Sequence, residues 1–402
     1  MIALVDMDSF FASIEQFDQP ELFGHPVAVT NGLQGTCIIT RSYEARYWGI
    51  KTGMRLKEAK KLCPGIIQRP SRPKRYAEIS TKIMHALTTI TPDIEVYSVD
   101  EAFLELTHCQ KIIKSPEVIA NKIQNLVSEA SGLSCSIGIS GDKTTAKYAA
   151  KQNKPHGITV IHPEESAEAL SDAPVTDLCG IAKGIERFLN ARGVYKCGEM
   201  KNIPISVLGK HFGHPGRRIW LMAQGKDPER IKTDIAEPKS IGHGKVMPPN
   251  TKSIKIILMY LQHMSEKVGS RLRKHHLQSD CFYIGIKCKK GWIGDRMKCP
   301  YPTDDGKSIM KLGRQMILER WTGKGINQIQ VTAVRPKALG QQIDFLEDAN
   351  QNTHIREKNR IMDLINNRYG DLTIAPSSLL KRSSMPDVIA PAWKPTGHRR
   401  TV

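Results

Sequence analysis

The sequence predicts an α+β protein of several domains, and three observations carry that prediction. Strand-like and helix-like runs alternate over residues 1 to about 165, short helices broken by Gly and Pro fill about 165 to 230, and a βαββαβ order occupies 241 to 340. A chain of 402 residues is long enough for about two to four domains and a large core.

Ile2 to Val5 reads as a buried strand: four apolar residues, two of them β-branched, run into an acidic break. Asp6 therefore falls at a strand end. Asp8, ahead of the amphipathic SFFASIEQF, reads locally as a helix cap or structural residue. In TRSYEARYWGIKTGM, Tyr43 and Arg46 lie three residues apart and share a face if the segment is helical. IEVYSVD and AFLEL form two short strands that meet at an acidic corner, Asp100-Glu101. SPEVIANKIQNLVSEASG is an amphipathic helix begun by Ser115-Pro116 and ended by Gly132. LSCSIGIS is a strand, and in NKPHGITVI the pair Pro155 and Gly157 introduces the last strand of this region, which Pro163 ends.

DLCGIAKGIERFLNARGV has the form of a helix-hairpin-helix, whose glycine turn aims backbone N–H groups at a phosphate. Gly180 fits, Ala182 stands where a second glycine is usual, and the plain alternative is an αα-turn with Gly193 as C-cap. TDIAEPKSIGHGK reads as a linker near 232 to 240. Beyond it come a strand, the long basic helix SIKIILMYLQHMSEKVGSRLRKHH, the strands DCFYIGIKCK and GWIGDRMKC, the helix GKSIMKLGRQMILERW and the strand QIQVTAV, a compact sheet with helices on one face. From 341 onward lie GQQIDFLED, the helix-like REKNRIMDLINNRYG and a tail containing Pro, Ser and Arg.

The formal net charge of +19 and a pI of about 9.5 imply a polyanionic partner, nucleic acid or an acidic membrane surface. Residues 241 to 340 hold 19 Lys and Arg against 6 Asp and Glu, so +13 of that charge lies in one segment. A solvated face balances its signs; this imbalance favours a grip on a phosphate backbone. No run approaches the roughly 18 to 20 apolar residues of a membrane span, and the N-terminal run is too short for a signal peptide. The expected protein is soluble and cytoplasmic, with no membrane partner. Nine scattered cysteines without a CxxC pair read as free thiols.

Asp6 gains meaning beside Asp100 and Glu101. A strand ending in Asp6 and a hairpin turning at Asp100-Glu101 can lie side by side in one sheet and aim three carboxylates at one point. Mg2+ suits such a cluster, because it takes oxygen ligands, keeps waters and is completed by substrate phosphates. Arg46 offers a planar fork to a phosphate, Tyr43 a hydroxyl, and Lys154 in QNKPHG a further cation.

Together LVDMDSFFASIE, TRSYEARYWGIKTGM, YSVDEAFLEL, LSCSIGIS and AKYAAKQNKPHG resemble the successive motifs of the Y-family DNA polymerases, the DinB/UmuC-type translesion enzymes. The resemblance covers residues 1 to about 340 in order and continues through INNRYG. It implies a right-hand polymerase: palm from 1 to 10 and 77 to 165, fingers from 11 to 76, thumb from 166 to 232, a basic little finger from 241 to 340, and a C-terminal tail from 341 to 402. By position, Asp6, Asp100 and Glu101 match the family's catalytic metal-binding acids, with the main-chain carbonyl of Met7 a further ligand. Phe10, Phe11, Tyr43, Arg46 and Lys154 match its dNTP contacts, Phe11 its steric gate. Cys37 falls in the region that roofs the nascent base pair. The implied cofactor is a pair of Mg2+ ions, with Mn2+ a substitute, and the implied substrates are primer-template DNA and dNTPs. No second acidic cluster reads as a proofreading exonuclease. Gln342, Ile343, Phe345 and Leu346 resemble the bacterial sliding-clamp peptide, which makes a clamp the expected partner of an otherwise monomeric chain. Two rivals remain at this stage: a family member that has lost catalysis, and a non-enzymatic DNA-binding scaffold. The first has no reason to keep the acids; the second explains the charge but not the acidic trio.

Overall fold

A computed structural model describes residues 1–32, 36–108, 115–234, 237–338 and 349–379, which divide near residue 235 into two compact units. The first unit opens with β1 (Ile2–Met7), α1 (Phe10–Asp18), β2 (Val27–Thr30), β3 (Ile38–Arg41), α2 (Tyr43–Tyr47), α3 (Leu56–Leu62), β4 (Ile67–Pro70) and α4 (Pro73–Leu87). It continues with β5 (Ile94–Val96), β6 (Glu101–Glu105), α5 (Pro116–Ser131), β7 (Cys135–Ser140), α6 (Lys143–Gln152) and β8 (Ile158–Val160). Four short helices follow: α7 (Ser166–Ser171), α8 (Lys183–Asn190), α9 (Ile205–Phe212) and α10 (His214–Met222).

β1 is the centre of a five-stranded sheet of order β5-β6-β1-β7-β8, antiparallel to both neighbours and buried along its whole length. It runs past Val5, where the apolar pattern ends, to Met7. Two-sided pairing carries it through the acidic residue, and the Met7 N–H donates to the Asp100 carbonyl at 2.9 Å. Successive side chains alternate. Ala3, Val5 and Met7 pack with α1, α4 and α5, while Ile2 and Leu4 face α6 through Ala146 and Ala150. Gly138 of β7 lets α6 lie close: a Cβ there would strike the α6 backbone at Ala146 and Ala150. α6 itself is capped by Asp142, whose carboxylate accepts from the Thr145 N–H at 3.0 Å. α5 starts at Pro116 and stops at Gly132, where φ is +71° and the ring of Phe17 leaves no room for a Cβ.

A second, three-stranded sheet, β3-β2-β4, holds residues 27 to 70. In the helical stretch Gly180 adopts φ +91° before α8, but Ala191 rather than Gly193 is the C-cap; Gly193 makes the left-handed turn two residues on.

The second unit contains β9 (Ser240–Thr251), α11 (Ile254–Lys274), β10 (Leu277–Cys288), β11 (Gly291–Thr303), α12 (Gly306–Arg320), β12 (Ile326–Val334), β13 (Lys337–Ala338) and α13 (Ala349–Tyr369). Its sheet runs β11-β10-β12-β9, and α11 and α12 bury Leu261, Met264, Ile309 and Met316 against it. α13 begins seven residues before the basic pattern at Arg356, and is tied to the unit by Arg273 to Asp363 and by Asn359 to Asp305. Among the described residues no helix is long and apolar enough to cross a membrane, and the eight described cysteines are free thiols.

Candidate active site

Strand period fixes the acidic pair. Asp6 shares the α6 face with Leu4, and its partner across the β1–β6 ladder is Glu101, on the same face as Phe103. Asp100 precedes Glu101 at the corner, and the Ser98 hydroxyl donates to its Oδ1 at 2.5 Å and to Glu101 Oε2 at 3.4 Å. The three carboxylates are therefore neighbours.

Among the described residues no group of three or more His, Cys, Asp or Glu side chains is arranged to hold a metal ion. Two lysines face the acids: Lys154 Nζ lies 2.5 Å from Asp6 Oδ1, and Lys147 Nζ lies 2.5 Å from Glu101 Oε1. Asp6 and Glu101 each take a cation, while Asp100 takes the Ser98 hydroxyl. Burial, with the charges of Glu101 and Asp100 added, outweighs Lys154 and pushes Asp6 up to about 7. Asp100 moves in the same direction, through burial and then Glu101. Burial works to lower the Lys147 ammonium, but Glu101 outweighs it and holds that group above its ordinary value. A buried all-oxygen set under mutual repulsion fits a hard divalent cation, which would relieve the strain that two lysines relieve in part.

Across Asp8 lies a cationic group. α2 is capped by Ser42, whose hydroxyl accepts from the Ala45 N–H, and it sets the Arg46 guanidinium 4.4 Å from the centroid of the Tyr43 ring. The Tyr43 hydroxyl donates to Asp8 Oδ1 at 3.1 Å; burial and then the Asp8 charge push its phenol well above the ordinary range. Arg46 Nη2 donates to Ser9 Oγ at 3.0 Å, whereas Arg46 Nε and Arg41 Nε are buried with no hydrogen-bond partner among the described residues. Burial and then the nearby charge of Arg46 lower the Arg41 guanidinium. Two like charges with orphaned donors are chemistry that an anion would satisfy.

Asp8 is not a helix cap: Ser9 occupies the N-cap of α1 without a side-chain capping bond, and Asp8 serves distant partners. Phe10 is core, 2% exposed, while the partly buried Phe11 stacks on Tyr76 with centroids 4.3 Å apart and planes at 11°. Cys37 is exposed, bridged to Arg55. Gln342, Ile343, Phe345 and Leu346 lie outside the described residues.

Profiles of the impB/mucB/samB family match residues 5–151, and of its C-terminal domain residues 238–345. DNA polymerase IV of Moorella thermoacetica is 32% identical over 381 residues, spanning 93% of this chain and 94% of that protein. The solved structure of a Y-family DNA polymerase chimera covers 84% of this chain and 100% of its own, with a TM-score of 0.73 at 27% identity. The chain belongs to the Y-family DNA polymerases. DNA polymerase IV of Clostridium kluyveri, 32% identical over 395 residues, spans 95% of this Y-family chain and 99% of its own length.

Three residues of this Y-family site escaped the sequence reading. Lys147 sits in AKYAAK, where only the turn of α6 onto the sheet reveals its carboxylate partner. Arg41 ends β3 inside TRSYEARYWGIKTGM, where only Tyr43 and Arg46 are singled out. Glu15 looks like the polar side of α1, yet it is fully buried and accepts from Tyr76, Arg72 and Arg69.

Proposed function

We propose that this DNA-directed DNA polymerase is an error-prone enzyme of the translesion type, which adds dNTPs to a primer 3′ end by metal-assisted phosphoryl transfer without proofreading. The observation that carries the reading is the pairing of an oxygen-donor trio, Asp6, Asp100 and Glu101, with orphaned guanidinium donors on Arg41 and Arg46. A nucleoside triphosphate with its cations needs both.

Asp6, Asp100, Glu101 and the Met7 carbonyl would hold two Mg2+ ions, or Mn2+ in their place. When bound, the ions supply activation of the primer hydroxyl and charge neutralisation at the leaving pyrophosphate. The protein does the positioning. Lys154, released from Asp6, turns its ammonium to the triphosphate; Arg46, braced on the Tyr43 ring, supplies a fork; Phe11, on its Tyr76 floor, closes the space at C2′ of the sugar. The basic second unit grips the DNA backbone, so affinity falls steeply with salt. Gln342 to Leu346 dock a sliding clamp as an extended peptide, and the enzyme works as a cytoplasmic monomer.

The test is extension of a labelled hairpin with Mg2+ and four dNTPs. Asp6→Asn and Asp100→Ala should each abolish extension while DNA binding stays within about twofold, since the backbone grip lies elsewhere. Substantial polymerisation by either variant overturns the assignment.

A further inference from the structure

We propose that Asp8 is a positioning residue that fixes both cationic arms of the triphosphate site, the Tyr43–Arg46 helix and the Lys154 loop, on the central sheet. This rests on the assignment of those three residues to the nucleotide. Asp8 is 2% exposed, and among the described residues no Lys or Arg pairs with it. Its charge is held instead by four neutral donors. Oδ1 accepts from the Tyr43 hydroxyl at 3.1 Å and the Ser136 hydroxyl at 2.9 Å; Oδ2 accepts from the Ser134 hydroxyl at 3.0 Å and the His156 N–H at 2.9 Å. The main chain joins in, the Asp8 N–H donating to Ser134 O at 3.1 Å and its carbonyl accepting from Ser13 Oγ at 2.6 Å.

Two of the four donors reach the nucleotide's ligands. The Tyr43 ring is the surface on which Arg46 rests, and Arg46 also bonds Ser9, the residue after Asp8. His156 follows Lys154 by two residues and sits at φ +56°, a sparsely occupied conformation for a side-chain-bearing residue, with its N–H on Asp8. Ser134 and Ser136, beside and on β7, are the fixed end. One carboxylate thus joins two arms that enter the sequence 35 and 148 residues away. Only an ionised carboxylate accepts at every position; an amide would turn its NH2 group toward two of these donors, and the hydroxyls among them would have to reverse to meet it.

Asp8→Asn keeps the shape but replaces half of the acceptors that hold the junction with donors. Binding of the correct dNTP to enzyme on a dideoxy-terminated primer should weaken about tenfold, and KM for dNTP should rise alike. Maximal rate should change less than about threefold, and primer-template affinity should hold. Because Tyr43→Phe removes the same bond, the double variant should cost little more than Asp8→Asn alone. Ser134→Ala/Ser136→Ala touches no proposed nucleotide ligand, so it serves if Asp8→Asn fails to fold, and should weaken dNTP binding several-fold. Unchanged dNTP affinity in the folded variants, or loss spread equally over dNTP, DNA and rate, overturns the proposal. Arg46→Ala and Lys154→Ala separate the two levels: if each weakens dNTP binding while Asp8→Asn does not, this inference alone fails; if neither does, the assignment beneath it fails.

Discussion

Phe11→Ala should admit ribonucleotides, and the surroundings of the ring set the size of the effect. Phe11 lies flat on Tyr76, while its neighbour Phe10 is tilted at 46° with centroids 5.7 Å apart. Tyr76 is fully buried, and its hydroxyl donates to Glu15 Oε1 at 2.8 Å; Arg72 Nε, also at 2.8 Å, pins the same oxygen. The floor under Phe11 cannot yield. A 2′-hydroxyl pressed against the ring must stay unpaired, at about 1 to 3 kcal/mol, or push the α-phosphate out of line, which costs further rate. Combined discrimination of the order of a thousandfold follows, and truncation should remove most of it. The stack is worth about 0.5 to 1.5 kcal/mol beyond burial, and the ring is only partly buried, so truncation should cost less than the ~3 to 5 kcal/mol of a core Phe→Ala and the variant should fold. The assay is the ratio of kcat/KM for dCTP and CTP opposite template G. Tyr76→Phe keeps the ring and should keep the ratio, with a loss of Tm because Glu15 gives up a donor. An unchanged ratio in Phe11→Ala would refute the gate.

Three further predictions follow from the site and the tail. Asp6, pushed up to about 7 by burial, holds a proton in the folded metal-free protein that the unfolded chain, near 3.8, gives up; stability at this group is therefore lost as pH rises from about 4 to about 7, by up to about 4 kcal/mol. Mg2+ needs the carboxylate, so its affinity should rise about tenfold per pH unit up to about 7 and then level; calorimetry in two buffers that finds no proton release at pH 6 contradicts this. Arg41→Ala should raise KM for dNTP about tenfold and leave primer-template affinity unchanged, because the orphaned Nε awaits an anion; an unchanged KM removes Arg41 from the site. Deletion of 342 to 346 should abolish stimulation by a sliding clamp without altering unstimulated extension, and persistent stimulation would make the QIDFL match a coincidence.

Local signals found the elements that local chemistry makes. Ser115-Pro116 and Gly132 bracket α5, and the apolar run at Ile2 announces β1. What the sequence hid depends on distant partners. β1 continues through Asp6 to Met7 only because β6 and β7 pair with it on both sides. Asp8 invites a reading as a cap because caps are local; its side-chain partners lie 35, 126, 128 and 148 residues away. Arg41 and Lys147 resemble solvated surface cations until the chain brings another guanidinium to the first and a carboxylate to the second.

The lysines of α6 show how one helix can serve both stability and chemistry. Lys143 and Lys147 stand one turn apart, and Lys154 follows in the loop; each meets a carboxylate of the sheet, Glu95, Glu101 and Asp6 in turn. Burial grades the three pairs. Lys143 and Glu95 are each 4% exposed and 2.7 Å apart, and Glu95 also accepts from the Lys232 N–H, so separating them would strand two charges inside the fold. The other two pairs are about four times as exposed, at 13 to 17%, and border on the acidic corner. Water can reach them, whereas Lys143 is shut in between Glu95 and the Phe103 ring, 4.9 Å away. The same lysine–carboxylate chemistry is thus sealed in the fold at the start of α6 and open to solvent further along, so that under the proposed function only the later pairs are free to exchange their partners.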